Sequence, residues 1–214
     1  MDADRVAVAE FLAALTYGER LAQERAGRTV AFAPDPAAEK EQRHVARQEG
    51  ERLALLEARL HEMDGGGLEE RFAPFFDAFF ESTVPSDWIE SQTFHYVGDA
   101  LVSDLAEALL PSLDPVTAEV VRRALGERDE QDAFALDQVT TALRDAPGDV
   151  ERIAAYARRV AGEALTQTRR ALDASEAVSS LLGDPEEQKR TLLDLLDRHR
   201  RRLDRLGIEP VEPD

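Results

Sequence analysis

The chain has 214 residues and no cysteine, and its 44 acidic against 26 basic side chains give a formal net charge of −18. This length suits one domain, and the lack of cysteine excludes disulfides, thiolate nucleophiles and cysteine-ligated metal centres. The charge disfavours nucleic acids and anionic membrane surfaces. We therefore expect a cytoplasmic protein that binds an unknown protein or a small molecule, and a homodimer stays open.

The chain is expected to form a single helical domain over residues 1–206, with a frayed tail at 207–214. No stretch approaches the roughly 20 apolar residues that cross a bilayer, and the N-terminus lacks a basic region followed by an apolar run. The sequence therefore predicts neither secretion nor membrane insertion.

Apolar residues recur every three or four positions throughout, and strict alternation is absent, so the fold is expected to be all-α. Capping residues followed by proline or by an acid divide this pattern into six helices. The predicted helices begin near Asp4, Pro36, Asp87, Pro115, Asp149 and Pro185, and the last one stops at Gly207. The fourth is expected to run unbroken from Pro115 to about Leu143.

A short segment between the second and third predicted helices is rich in phenylalanine, at positions 72, 75, 76, 79 and 80. Two interpretations are open. The segment forms a short helix that plugs one end of the bundle with aromatic area, or it lines a pocket for a ligand.

Five predicted helices carry a glycine beside an acid: Gly18-Glu19, Glu49-Gly50, Gly98-Asp99, Gly126-Glu127 and Gly162-Glu163. A glycine inside a helix costs about 1 kcal/mol relative to alanine, so its repetition indicates close packing or a polar site. The apolar spacing places Glu19, Glu49 and Asp99 on inward faces. Buried carboxylates need a metal, a cation or a proton, and helical bundles hold iron or manganese pairs with such acids.

Six short motifs are spread over most of the chain: LTYGE at 15–19, QE at 48–49, PSDWI at 85–89, YVGD at 96–99, FALD at 134–137 and GEALTQ at 162–167. In their order and spacing they resemble the ferritin-like proteins of actinobacteria, which are similar to the tRNA methylthio-isopentenyl-adenosine hydroxylases. The resemblance implies a ferritin-like four-helix bundle with additional C-terminal helices. It also implies di-iron oxygen chemistry and a tRNA substrate.

The chain departs from the family pattern at both expected Glu-x-x-His pairs. Arg52 follows Glu49 where the first histidine is expected, and the second pair is replaced by Arg128 and Gln131, with Glu127 available only after a shift of one residue. His95 lies one turn before Asp99 and is the one histidine on the same face.

Two functions stay open. In the first, Arg52 and Arg128 neutralise Glu19, Glu49 and Asp99, so that the protein has no metal cofactor and acts by binding or as a scaffold. In the second, it is a non-haem di-iron or di-manganese hydroxylase or oxidase. The candidate metal ligands are then Glu19, Glu49 and Asp99, with His95, Glu127 and Glu163 as further options. Whether the protein is an enzyme is left open.

Overall fold

The computed structural model describes residues 3–126 and 128–208, which form ten α-helices and contain no strand. The all-α prediction is confirmed. The helices are α1 (Ala3–Thr29), α2 (Pro36–Glu62), α3 (Ala73–Ser82), α4 (Trp88–Phe94), α5 (Ala100–Leu109), α6 (Pro115–Leu125), α7 (Arg128–Asp145), α8 (Val150–Ala174), α9 (Glu176–Leu181) and α10 (Pro185–Arg205).

Four of the helix starts that were predicted follow from local capping chemistry. The carboxylates of Asp35, Asp114 and Asp184 each accept two backbone N–H groups at the start of α2, α6 and α10, and proline occupies the first turn of all three. The Asp87 carboxylate also caps its helix, α4, but it accepts only one backbone N–H group. The expectation for Asp149 is wrong, because its side chain makes no cap bond and instead lies 3.5 Å from Arg152 Nε.

Two predicted helices are interrupted. The third contains a π-helical segment, His95–Asp99, between α4 and α5. The fourth is divided into α6 and α7 after Gly126, which is the C-cap of α6 and lies outside any helix interior. π-helical turns are rare and frequently mark functional sites, because each inserts a residue that re-aims the side chains after it.

The bundle is built from α1, α2, the continuous rod of α4, the π segment and α5, and the α6–α7 pair, with α8 packed on α3 and α4. Two hydrophobic clusters fill it. The first contains Leu15 of α1 and Leu56 of α2, and the second contains Val97, Val139 and Val160. Along α2 and the α6–α7 pair, the buried polar residues Glu49, Arg52 and Gln131 lie between apolar ones, so polar side chains interrupt the core there.

The phenylalanine segment forms α3 and the turn before it. Phe72 and Phe79 are buried, whereas Phe75 and Phe76 are partly exposed and pack against the first cluster. The short α9 after Ser175 has no counterpart in the predicted helices.

At the C-terminus, Gly207 has a positive φ of 72° that ends α10, as expected. Ile208, which follows it, is buried, and residues 209–214 lie outside the described part of the chain, so the frayed tail stays a prediction. None of the described helices is long and apolar enough to cross a membrane.

Candidate functional site: a carboxylate and arginine layer

Five of the predicted site residues meet inside the bundle. Glu19 comes from α1, Glu49 and Arg52 from α2, and Arg128 and Gln131 from α7. Glu49 has no exposed surface, and Arg52 retains only 4%. We call these five residues the polar layer.

Glu49 stands at the centre of the hydrogen bonds. Its Oε1 accepts from Arg52 Nη1 at 2.9 Å and from Gln131 Nε2 at 3.1 Å. Arg52 Nη1 also donates to Gln131 Oε1 at 3.1 Å, so these three side chains form a closed ring. Spacing of three residues on α2 places Glu49 and Arg52 on one face, which is why this ion pair forms.

Arg128 joins the two glutamates. Its Nη2 donates to Glu19 Oε2 at 3.3 Å and lies 3.8 Å from Glu49 Oε2. The Arg128 side chain is 10% exposed and that of Glu49 is 1% exposed, so the charges of Arg128 and Glu49 are shielded from water. Burial opposes its ionisation, yet the charges of Glu49 and Glu19 outweigh burial and raise the pKa of Arg128 above its usual range.

The pKa values of the two glutamates are shifted in opposite directions. Glu19 Oε1 and Glu49 Oε2 are buried and accept no hydrogen bond from any described donor. Burial, the charge of Glu49 and a hydrogen bond to it raise the pKa of Glu19 well above that of an ordinary glutamate. For Glu49, burial is outweighed by Arg128, the bond from Glu19 and Arg52, so its pKa falls. Burial and the charge of Glu49 therefore favour the protonated form of Glu19, whereas the two arginines favour the ionised form of Glu49.

His95 and Asp99 lie on the π segment, beside the polar layer. His95 Nδ1 is 2.9 Å from Asp99 Oδ2, and His95 Nε2 is 3.3 Å from the amide Nε2 of Gln42. Because the amide is a donor, Nε2 of His95 accepts and Nδ1 carries the proton toward Asp99. Asp99 is close enough for its charge to stabilise the cation of Arg128.

Two buried partners were absent from the sequence-based set. Gln42 is fully buried and also bonds Gln92 and the carbonyl of Ala26. Gln42 lies seven residues, or about two helical turns, before Glu49, so the spacing on α2 places both side chains on the same inward face. Arg25 lies between the rings of Phe80 and Phe94, 4.5 and 4.2 Å from their centroids, and burial lowers its pKa to about 10.

The other candidates lie elsewhere. Glu163 on α8 is partly exposed and accepts from Gln167 Nε2 on its own helix at 2.7 Å. Glu127 falls outside the described residues. His44 and His61 are exposed on α2. Within the described residues, no group of three or more histidine, aspartate or glutamate side chains is arranged to hold one metal ion.

The glycine prediction is confirmed at two positions. A Cβ on Gly18 would lie 2.6 Å from the Phe76 ring, and one on Gly98 would lie 3.1 Å from Val160. Both glycines allow close approach beside a buried acid. At Gly162, by contrast, nothing lies within 4 Å, so close packing does not explain that glycine.

The family model of the ferritin-like domain of actinomycetes matches residues 2–185. The chain belongs to this family. Its helices α1 to α9 fall within the match, and α10 begins at the last matched residue, Pro185. The sequence matches no curated protein.

Among solved structures, the ferritin-like bundle is similar to a Synechococcus protein with aldehyde deformylating oxidase activity. The TM-score is 0.74 at 20% identity, over 98% of this chain and 93% of that chain. At this identity the likeness shows the fold. The resemblance to tRNA hydroxylases has no support in these comparisons and stays a prediction.

Proposed function

We propose that this ferritin-like domain does not activate oxygen and acts by binding, with Arg52 and Arg128 supplying the positive charge that a metal pair supplies in related bundles. The observation that carries the proposal is the position of Arg128, whose guanidinium reaches both Glu19 and Glu49. A planar guanidinium with several donors satisfies carboxylates without redox chemistry.

The described residues do not fit a pair of metal ions. Two cations next to the buried Arg52 and Arg128 would face like charges where such repulsion is poorly screened. Gln131 stands where a histidine ligand is expected, and its amide is already bonded to Glu49. The raised pKa of Glu19 also disfavours its ionised form, which is the form that binds a metal.

The competing function is a di-iron or di-manganese oxidase, and the fold neighbour's aldehyde deformylating oxidase activity favours it. Glu19, Glu49, Asp99 and His95 would be the ligands that hold the ions, which would supply oxygen activation. Those four side chains are all buried near the bundle centre. This function requires both arginines to swing away from the acids.

Metal analysis separates the two functions. The protein is expressed with added iron and with added manganese, purified, and assayed for both metals by elemental analysis. We expect far less than one equivalent per chain and no oxygen consumption with a reductant and aldehydes. Two tightly held equivalents, lost in a Glu49→Gln variant that keeps its helical circular dichroism, would overturn the proposal.

A further inference from the structure

An apolar cavity of about 100 Å³ lies between α1, α3, α5 and α8. Its wall is formed mainly by Leu15, Phe72, Phe76, Leu105 and Ala171. None of the five residues of the polar layer lines it. The cavity is therefore a separate space, and whether the layer holds metal does not decide its use.

The cavity is partly open to solvent and is large enough to hold a small molecule. Protein interiors pack as densely as organic crystals, and voids larger than a water molecule are few. An engineered apolar cavity of roughly 150 Å³ in another protein stays dry and binds benzene or xenon. A space of similar size with an almost wholly apolar wall gains free energy by taking up an apolar molecule instead of water.

A ligand can reach this space without unfolding of the bundle. Phe75, Phe76 and Leu105 of the wall are partly exposed, so the cavity borders solvent on the side of α3 and α5. Phe76 rests against Gly18, where a larger residue would push the ring away from its present position. Phe72, which is almost fully buried, forms a fixed part of the wall.

The polar groups of the wall are confined to α8. Gln167 is buried and donates from Nε2 to Glu163. Thr168 is partly exposed, and its hydroxyl makes no hydrogen bond within the described residues. One polar group of a ligand can therefore be satisfied on this side, while the rest of the ligand must be apolar.

We propose that this cavity is a binding site for a small apolar molecule about the size of benzene, which carries at most one hydroxyl or carbonyl group facing Thr168. Volume sets the size of the ligand, the aromatic and aliphatic wall sets its polarity, and α8 sets its orientation. This site is separate from the polar layer, and the proposal does not depend on whether the layer is neutralised by arginines or by a metal pair.

The test uses benzene and benzyl alcohol as probes, titrated into the full-length protein and followed by methyl and aromatic NMR shifts. We expect saturable binding of one molecule per chain, with shifts at Leu15, Leu105 and Leu172. Absence of saturable binding up to the solubility of both probes would overturn the proposal.

Ala171→Leu places a larger side chain on the wall, and Ala142→Leu makes the same change at a partly exposed site on α7 away from the cavity. We expect Ala171→Leu to weaken binding by about tenfold or more, and Ala142→Leu by less than about twofold. Equal affinities in the two variants would also overturn the site.

Leu105→Ala enlarges the cavity instead of filling it, and it tests the proposed binding site if Ala171→Leu fails to fold. Removing the leucine enlarges the space, so naphthalene should bind the variant at least about tenfold more tightly than it binds the parent. An unchanged preference would contradict the assignment. Metal content is measured on the same samples, so an error in the proposed function is seen separately from an error in the cavity.

Discussion

Arg128 on α7 donates a hydrogen bond to Glu19 on α1 across the core of the bundle, at 3.3 Å and between positions 109 residues apart. The same Nη2 atom lies 3.8 Å from Glu49 on α2. One side chain therefore ties three helices together by charge. Because these groups are buried, each depends on the others for its charge to be tolerated.

Removal of Arg128 should destabilise the protein strongly at neutral pH. In Arg128→Ala, Glu19 and Glu49 stay buried without the cation that reaches both, and breaking such an ion pair costs about 3–5 kcal/mol. Arg52→Ala should behave similarly. Urea unfolding at pH 7, followed by circular dichroism, measures the loss.

The loss should shrink as the pH is lowered, because loss of the cation raises the pKa of both acids and protonation then relieves the folded state. Arg200 is exposed on α10 and serves as the control. Its replacement by alanine should change the unfolding free energy by no more than about 0.5 kcal/mol. If Arg52→Ala and Arg128→Ala unfold as the parent does at pH 7, the arginines do not hold the layer together.

The raised pKa of Glu19 predicts a dependence of stability on pH. Its folded pKa is raised, so its contribution is fully present below the ordinary glutamate value of 4.5 and is lost as the pH rises toward the folded pKa. Glu19→Gln keeps a donor toward Glu49 and removes the titration. The stability of the variant relative to the parent should therefore increase with pH above 4.5, by up to about 1.4 kcal/mol per pH unit.

Glu49→Gln supplies the opposite case. The pKa of Glu49 is lowered, so its contribution is present above pH 4.5 and is lost as the pH falls through the folded pKa. This variant should be destabilised at pH 7, where Arg52 and Arg128 lose their counter-charge. Denaturant unfolding between pH 4 and 9 compares the three proteins. Parallel profiles for the parent and Glu19→Gln would show that Glu19 is ionised in the fold.

The sequence predicts those features of the fold and of the polar layer that depend on local chemistry. Asp35 and Asp114 mark helix starts because their capping geometry involves only neighbouring residues. Glu49 and Arg52 are three residues apart on one helix, so their pairing follows from the spacing.

Other features depend on contacts between helices and could not be predicted from spacing. The π segment adds a residue within the third predicted helix, and α6 ends with Gly126 as its C-cap where an unbroken helix was predicted. A regular α-helical period running through each predicted helix therefore cannot predict that Asp99 and Arg128 lie close together. The burial of Arg25 between two rings likewise depends on where α3 packs, which no local pattern on α1 encodes.

Two glycines beside acids should respond in opposite directions to alanine. In Gly98→Ala the new Cβ would lie 3.1 Å from Val160 and 3.2 Å from Phe94, so tight packing should cost about 1–3 kcal/mol. In Gly162→Ala nothing lies within 4 Å, and the helix should gain up to about 1 kcal/mol. Thermal and urea unfolding measure both, and a stabilised Gly98→Ala would contradict the close approach of the π segment to α8.

His199 on α10 should make the fold sensitive to acid. Burial, followed by the charge of Arg202, lowers its pKa to about 4. The unfolded chain therefore takes up a proton near pH 6.5 that the folded chain refuses, and stability falls as the pH drops from 6.5 toward 4. In His199→Leu this part of the fall, about 2–3 kcal/mol, should be absent. His61→Leu, at an exposed site, should leave the acid profile of the parent unchanged.

Rebuilding both acid-x-x-His pairs tests the origin of the polar layer directly. The triple variant Arg52→His, Arg128→Glu and Gln131→His places a histidine three residues after Glu49 and a second such pair on α7. Position 131 already reaches Glu49, and position 128 already reaches Glu19, so the new ligands would face one another across the layer. Carboxylate and imidazole ligands suit iron and manganese. The variant should therefore retain up to about two ions per chain by elemental analysis and unfold at a higher temperature with added Mn²⁺. Arg52→His alone leaves Arg128 beside both acids and should retain neither metal. A triple variant that keeps its helical circular dichroism but binds no metal would show that the layer is not shaped around a metal pair.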